Sequence, residues 1–310
     1  MPRLRGQSAG ALGQGPGVGL ALLAVGCFST SALFVRLAAP ISPYEITFWR
    51  MLLAAAAVGL GLLFTRRRAG PLPRGRRYIA FGLVAALHFL LFVTALSFTS
   101  IAHALSITYL APAFTAVAGW RLLGEKLSAR QMVGVAIALA GIGVLVGFEP
   151  RLSARMLLGD GLALLSAVCY AVYSIAGRSE RAHVGLLPYA LAVYGLAAVW
   201  LIPALMAGWA SRPDAAAAYS LPRVLALLGS GVLPLGVGHT LYNASLRRIP
   251  AAHANLIASQ EVTGGVLLGV LLLGELPSLN SMAGAALAML GIVLVLVQRP
   301  LELTDPGGIA

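Results

Sequence analysis

Charge is scarce in this sequence. Asp, Glu, Lys and Arg make up 10% of its 310 residues, whereas a soluble domain carries roughly a quarter because its surface must be solvated. A chain so poor in charge cannot cover a water-facing surface, and this excludes a soluble globular fold. Acidic residues number ten, too few for the clustered carboxylates that a membrane-embedded transferase would need. The two cysteines, Cys27 and Cys169, both lie inside apolar runs; they make neither a disulfide framework nor a zinc site, and packing is their expected role. There is no Walker motif and no nucleophile elbow. Gly13, Gly15, Gly17 and Gly19 follow no strand, so they form no dinucleotide fingerprint. No cofactor, metal site or enzymatic activity is expected. The net charge of +12 does not imply nucleic acid, because the arginines are scattered between apolar runs and form no basic domain.

What the sequence does have is apolar length. It is 59% hydrophobic, and a membrane span needs about 20 such residues. Apolar segments run roughly over 17–38, 44–65, 77–98, 101–123, 130–148, 157–177, 186–207, 224–246, 252–273 and 279–298. The spacing predicts an all-α integral membrane protein of ten transmembrane helices, with tails at 1–16 and 299–310. The first apolar run is too long for a signal-peptide core and is read as a retained span. If both tails are cytoplasmic, sixteen Lys and Arg fall on the inside and only Arg36, Arg151, Arg155, Arg212 and Arg223 on the outside. That bias is the positive-inside pattern of an inner (plasma) membrane protein.

The chain repeats itself. Shifting 17–36 by 142 residues onto 159–178 superposes Gly17, Gly19, Leu20, Cys27 and Arg36 on identical residues. A shift of 150 pairs Ala102-His103-Ala104 with Ala252-His253-Ala254, Gly124-Glu125 with Gly274-Glu275, and Gly134 and Gly141 with Gly284 and Gly291. Cysteine, histidine and Gly-Glu identities are rarer coincidences than shared Leu and Ala. The expected halves are 17–148 and 157–298, five spans each. Five is odd, so the second half enters the bilayer inverted, the architecture of many secondary transporters.

With these residues in view, the chain resembles the drug/metabolite transporter superfamily in its EamA-type ten-helix branch. The resemblance is carried by Pro43 with Arg50, Thr99-Ser100-Ile101-Ala102, Leu110-Ala111-Pro112, Leu123-Gly124-Glu125-Lys126, Gly134 and Gly141, then by Leu273-Gly274-Glu275-Leu276, Gly284 and Gly291. It implies a secondary transporter, most similar to bacterial exporters of aromatic amino acids. The implied partners are a small-molecule substrate, amino acids first, and membrane lipids, with the chain a monomer or homodimer. A passive channel is the alternative, but no filter segment is evident. One departure is visible: where the first half has Pro112, the second has Ser259-Gln260-Glu261-Val262, so a helix kink is expected to be lost there.

Candidate cavity residues are the polar and aromatic groups inside the spans. Glu261 is foremost, since an acid at a helix centre costs about 2.5–3.5 kcal/mol on insertion scales. It is open to three roles: binding an ammonium, carrying a coupling proton, or fixing helix packing. His88 with Phe92, and His239 with Tyr242 and Asn243, make stripes at helical spacing. Ser106 and Tyr109, Ser259 and Gln260, and Tyr170 and Tyr173 complete the expected lining. His103 and His253 are expected to be interfacial or structural, and Glu125 and Glu275 to be caps or hinge contacts. Arg50, expected near the outer boundary, either snorkels or attracts a substrate carboxylate. The Gly-rich fifth and tenth spans read as scaffold or dimer contacts.

Overall fold

The computed structural model describes residues 15–114, 117, 128–150, 152–180, 183–210, 215–245, 248 and 257–296. Every regular element among them is helical. The order is α1 Gly15–Leu37, α2 Pro43–Ala69, α3 Arg76–Leu96, α4 Ile101–Thr108, α5 Ala129–Gly147, α6 Ala154–Glu180, α7 Leu186–Ala210, a 3₁₀ turn Ala215–Ala218, α8 Leu221–Ser245, α9 Glu261–Leu273 and α10 Leu279–Leu296. Seven of these helices are long and apolar enough to cross a membrane, and three shorter apolar ones accompany them: Ile101–Phe114, Glu261–Leu273 and Leu279–Val295. Their apolar side chains face outward as well as inward; Leu60, Phe64, Leu271 and Leu272 are exposed, as lipid-facing positions must be.

Helix starts and stops are written locally. Ser42 caps α2 by accepting from the Glu45 backbone N–H, and the Glu45 side chain accepts in return from Ser42, with Pro43 at the first helical position. Ser100 caps α4 in the same way through the His103 N–H. Gly274 ends α9 with φ +64, a left-handed conformation that glycine adopts without steric cost. That turn sends Glu275 back so that its Oε1 accepts from the Ile101 N–H at 2.5 Å, a carboxylate at the positive end of α4.

The closest helix pair is α5 with α10. A Cβ added at Gly141 would lie 2.3 Å from the Ala288 nitrogen, and one at Gly284 would lie 2.5 Å from the Leu145 nitrogen. Gly134 meets Gly291 while Gly141 meets Gly284, so the two helices run antiparallel. Their small-residue faces are spent on one another within the chain, the scaffold reading of the two.

α4 and α9 are each interrupted, at matching places. In α4 a turn at Tyr109-Leu110 separates Ile101–Thr108 from the helical residues 111–114. A turn at Ser259-Gln260 precedes α9. The backbone bonds agree at the 150-residue offset: Leu110 N–H to Ile107 O and Gln260 N–H to Ile257 O, then Phe114 N–H to Leu110 O and Gly264 N–H to Gln260 O. The expected loss of the kink is therefore corrected. Pro112 withholds one donor from the first break, but the second forms without proline, because the same tightened turn closes through Gln260. Glu261 is thus the first residue of a helix and not the middle of one.

Candidate functional site

The two breaks face each other across one cavity. It has a volume of about 50 Å³, room for a few waters. Its lining comes from seven helices: Phe28 and Ser31 of α1, Arg50 of α2, His88, Phe89 and Phe92 of α3, Leu105, Thr108 and Tyr109 of α4 and its turn, Tyr170 of α6, Pro234, Leu235 and His239 of α8, and Glu261 of α9. The Tyr109 hydroxyl donates to Glu261 Oε2 at 2.5 Å. That bond ties the first break to the second and uses one oxygen of the acid.

Aromatic rings surround these polar groups. His239 lies 4.8 Å from the Phe28 ring, 6.4 Å from Phe89 and 6.3 Å from Tyr194, centroid to centroid. His88 stacks on Tyr170 at 4.8 Å and 17°, within the range of favourable ring pairs. Its Nδ1 sits 3.0 Å from the Ser166 carbonyl. The Ser166 hydroxyl lies 2.9 Å from the same nitrogen, so one ring nitrogen of His88 is held by Ser166. The wall of α8 is built by an irregularity: Gly231–Gly238 is π-helical and contains Pro234. A π-helical stretch shifts the register of the side chains beyond it, and it leads directly into His239.

Arg50 is the residue whose position differs most from expectation. It is 1% exposed, two turns into α2, and does not snorkel to a boundary. Nη2 donates to Ser31 Oγ at 2.8 Å, and the guanidinium lies 5.9 Å from the Phe89 centroid, a cation–π distance. Nε and Nη1 have no hydrogen-bond partner among the described residues.

Of the expected lining, His88, Phe92, Tyr109, Tyr170, His239 and Glu261 come together at the cavity. Six others lie apart from its wall. Ser106 is buried on another side of α4, and Ser259 is buried within the second break. Gln260 is exposed and accepts from Thr263 Oγ1 at 3.3 Å. Tyr173 stacks behind Tyr170 at 6.4 Å, and Tyr242 packs on Phe28 at 6.1 Å. Asn243 is half-buried in α8 beyond the cavity. Ser259 and Gln260 are turned away by the break they form, and Tyr242 and Asn243 follow the π-helical stretch of α8, beyond which the side-chain register is shifted. Phe89 and Thr108 were missed; Arg50 was singled out as a fixed charge seven residues into an apolar run, but was expected at the outer boundary and not in the cavity wall.

At one end of the bundle, a polar network joins residues before 150 to residues after it. Arg36 pairs with Glu275 at 3.2 Å and donates to the carbonyls of Leu96 and Thr99. His103, fully buried and not at a lipid boundary, sets Nδ1 3.0 Å from Asp160 Oδ2 and Nε2 3.0 Å from Ser281 Oγ. Thr99 donates to Asp160 at 2.7 Å, and Ser281 donates to Glu149 at 2.7 Å. Beside it Glu45, also fully buried, accepts from Trp209 at 2.9 Å and Tyr219 at 2.8 Å. Burial and that carboxylate push the Tyr219 hydroxyl up to about 12, so it stays a donor. At the opposite end, Tyr78 and Arg77 both hold Glu180. Glu125 and His253 lie outside the described residues. Cys27 and Cys169 are free thiols.

The EamA-like transporter family matches the chain twice, at residues 15–147 and 157–297. An uncharacterized transporter of Bacillus subtilis, YxxF, is 26% identical over 65% of this chain and 63% of its own length. A protein of Streptantibioticus cattleyicolor named "Probable terminal-alkyne amino-acid exporter" is 26% identical over 64% of this chain and 66% of its own. The chain thus spans slightly less than two thirds of these relatives. One crystal structure superposes with a TM-score of 0.65 over 90% of this chain and 95% of that one, at 21% identity, a likeness of fold.

Proposed function

Since the chain belongs to the EamA-like transporter family and is a multi-pass membrane protein of apolar helices, we propose that it exports amino acids or related small metabolites across the inner membrane. It does so as a secondary transporter, by alternating access of two inverted five-helix repeats, with the ten helices α1–α10 as ten spans and both tails cytoplasmic. The observation that carries the reading is the Tyr109–Glu261 bond, where two interrupted helices meet at a buried polar cavity. Interrupted spans meeting near the midplane are how many transporters expose backbone and charge to a cargo.

Inversion is supported by the α5–α10 pair. Gly134 corresponds to Gly284 and Gly141 to Gly291 in the repeat, and the contacts exchange under that correspondence, since Gly134 meets Gly291 while Gly284 meets Gly141. A two-fold axis across the two helices has this effect. The Arg36–Glu275 and His103–Asp160 contacts lie at helix ends that the arginine distribution assigns to the outside. They hold the halves together there, so the cavity is shut outward, and it must widen before a metabolite fits. Amino acids as cargo are supported by one relative's name and by the mixture of aromatic rings with Glu261. Glu261 is the group for an ammonium or a coupled proton.

Reconstitution into liposomes tests this. Labelled amino acids should enter with saturable, competable kinetics and exchange in counterflow. Flux that is linear in concentration and selective for ions would make the protein a channel instead. If Glu261 carries a coupled proton, Glu261→Gln abolishes stimulation by a pH gradient; an intact response assigns it to binding or packing.

A further inference from the structure

The guanidinium of Arg50 is not used by the reading above. It is 1% exposed and borders the same cavity as Glu261, yet no ion pair joins the two among the described residues. Ser31 engages Nη2 only, and the hydrogens on Nε and Nη1 are unused. A guanidinium keeps its charge at any pH a protein meets and presents a planar fork of donors that fits a carboxylate. A buried donor left unmade is costly, and in a cavity that cost is relieved by the ligand that fills it.

We propose that Arg50 is the carboxylate-binding residue of the cavity and, with Glu261 on the facing helix, restricts the cargo to zwitterions. This rests on the transport reading above and narrows it. A cargo with its carboxylate on Arg50 and its ammonium toward Glu261 adds no net charge to a site that already holds one group of each sign. A decarboxylated amine leaves Arg50 unpaired. A multiply charged anion such as phosphate brings like charge toward Glu261. The ring of Phe89 lies 5.9 Å from the guanidinium, and Ser31 holds Nη2, so the fork is braced from two sides. A site built to hydrogen-bond a group rejects analogues without it far more strongly than a hydrophobic pocket rejects a missing methylene, so discrimination of at least ~10-fold is expected.

The test compares one amino acid with its amide, its decarboxylated amine and inorganic phosphate, by two readouts. One is competition in counterflow with proteoliposomes; the other is the ligand-induced rise in melting temperature of the detergent-purified protein, which needs no flux. The amino acid should compete and stabilise at concentrations at least ~10-fold below those needed for the amide and the amine, and phosphate should do neither. In Arg50→Gln the amino acid loses that advantage, and in Arg50→Lys part of it returns. If Arg50→Gln does not fold, Ser31→Ala frees the guanidinium and should weaken the amino acid while leaving the amine unchanged. Equal potency of acid and amide in the wild type overturns the proposal. So does a folded Arg50→Gln with the wild-type ratio, or a Ser31→Ala that weakens acid and amine alike. Ligand stabilisation that depends on Arg50 without any flux would uphold the site and refute transport. Flux with an unchanged ratio would do the reverse, and no response in either readout refutes both.

Discussion

Among the described residues Glu261 is held by a single neutral donor, the Tyr109 hydroxyl at 2.5 Å. Glu261→Gln keeps an acceptor of nearly the same shape for that hydroxyl and removes only the charge. The fold should therefore survive, with an unchanged elution profile. The affinity for an amino acid should fall by about 10- to 100-fold, since hydrogen bonds to charged groups contribute about 1.5–3 kcal/mol; initial rates across a substrate concentration series measure it. An unchanged affinity would remove Glu261 from the binding site and leave it a coupling or packing role. At this scale the sequence was a good guide to depth and a poor guide to direction. His88, Tyr109, Tyr170, His239 and Glu261 were legible because polar groups inside apolar runs demand a reason. Ser106, Asn243 and Gln260 have the same chemistry at the same depth and point elsewhere. Arg50 was legible as a charge in a span, but its distance from Pro43 did not reveal that its helix turns it inward.

Among the elements, α5 and α10 set the tightest tolerance. Gly141 has no room for a side chain, whereas a Cβ at Gly143 on the same helix would meet nothing within 4 Å. Gly141→Leu should lower the melting temperature by several degrees or prevent insertion, because overpacking costs about 1–3 kcal/mol, while Gly143→Leu should leave it nearly unchanged. Thermal unfolding followed by gel filtration distinguishes them. The paired glycines were legible as close-approach positions; that their partners were each other and not a second subunit was not, since periodicity marks a face without saying what covers it. The break in α9 was the reverse case. Losing the proline suggested a continuous helix, yet the chain turns at Ser259-Gln260 as it does at Tyr109-Leu110. Proline is thus dispensable for the turn. Pro112→Ala should retain at least about half of wild-type transport, and near-complete loss would mean that the first break depends on its missing donor.

For the molecule as a whole, the duplication was legible in the rare identities: Cys27 on Cys169, His103 on His253 and Gly124-Glu125 on Gly274-Glu275. The network that closes one end was not. It is assembled from Arg36, Thr99, Glu149, Asp160, Glu275 and Ser281, which are far apart along the chain and meet only when the helices pack. If the two halves alternate access as proposed, this end must part during each cycle. Cysteines placed at Arg36 and Glu275, with Cys27 and Cys169 changed to serine, can be bridged by a short, reducible thiol cross-linker. Bridging should stop amino-acid flux in proteoliposomes, and reduction should restore it. Flux that continues at the unbridged rate through fully cross-linked protein would contradict the account.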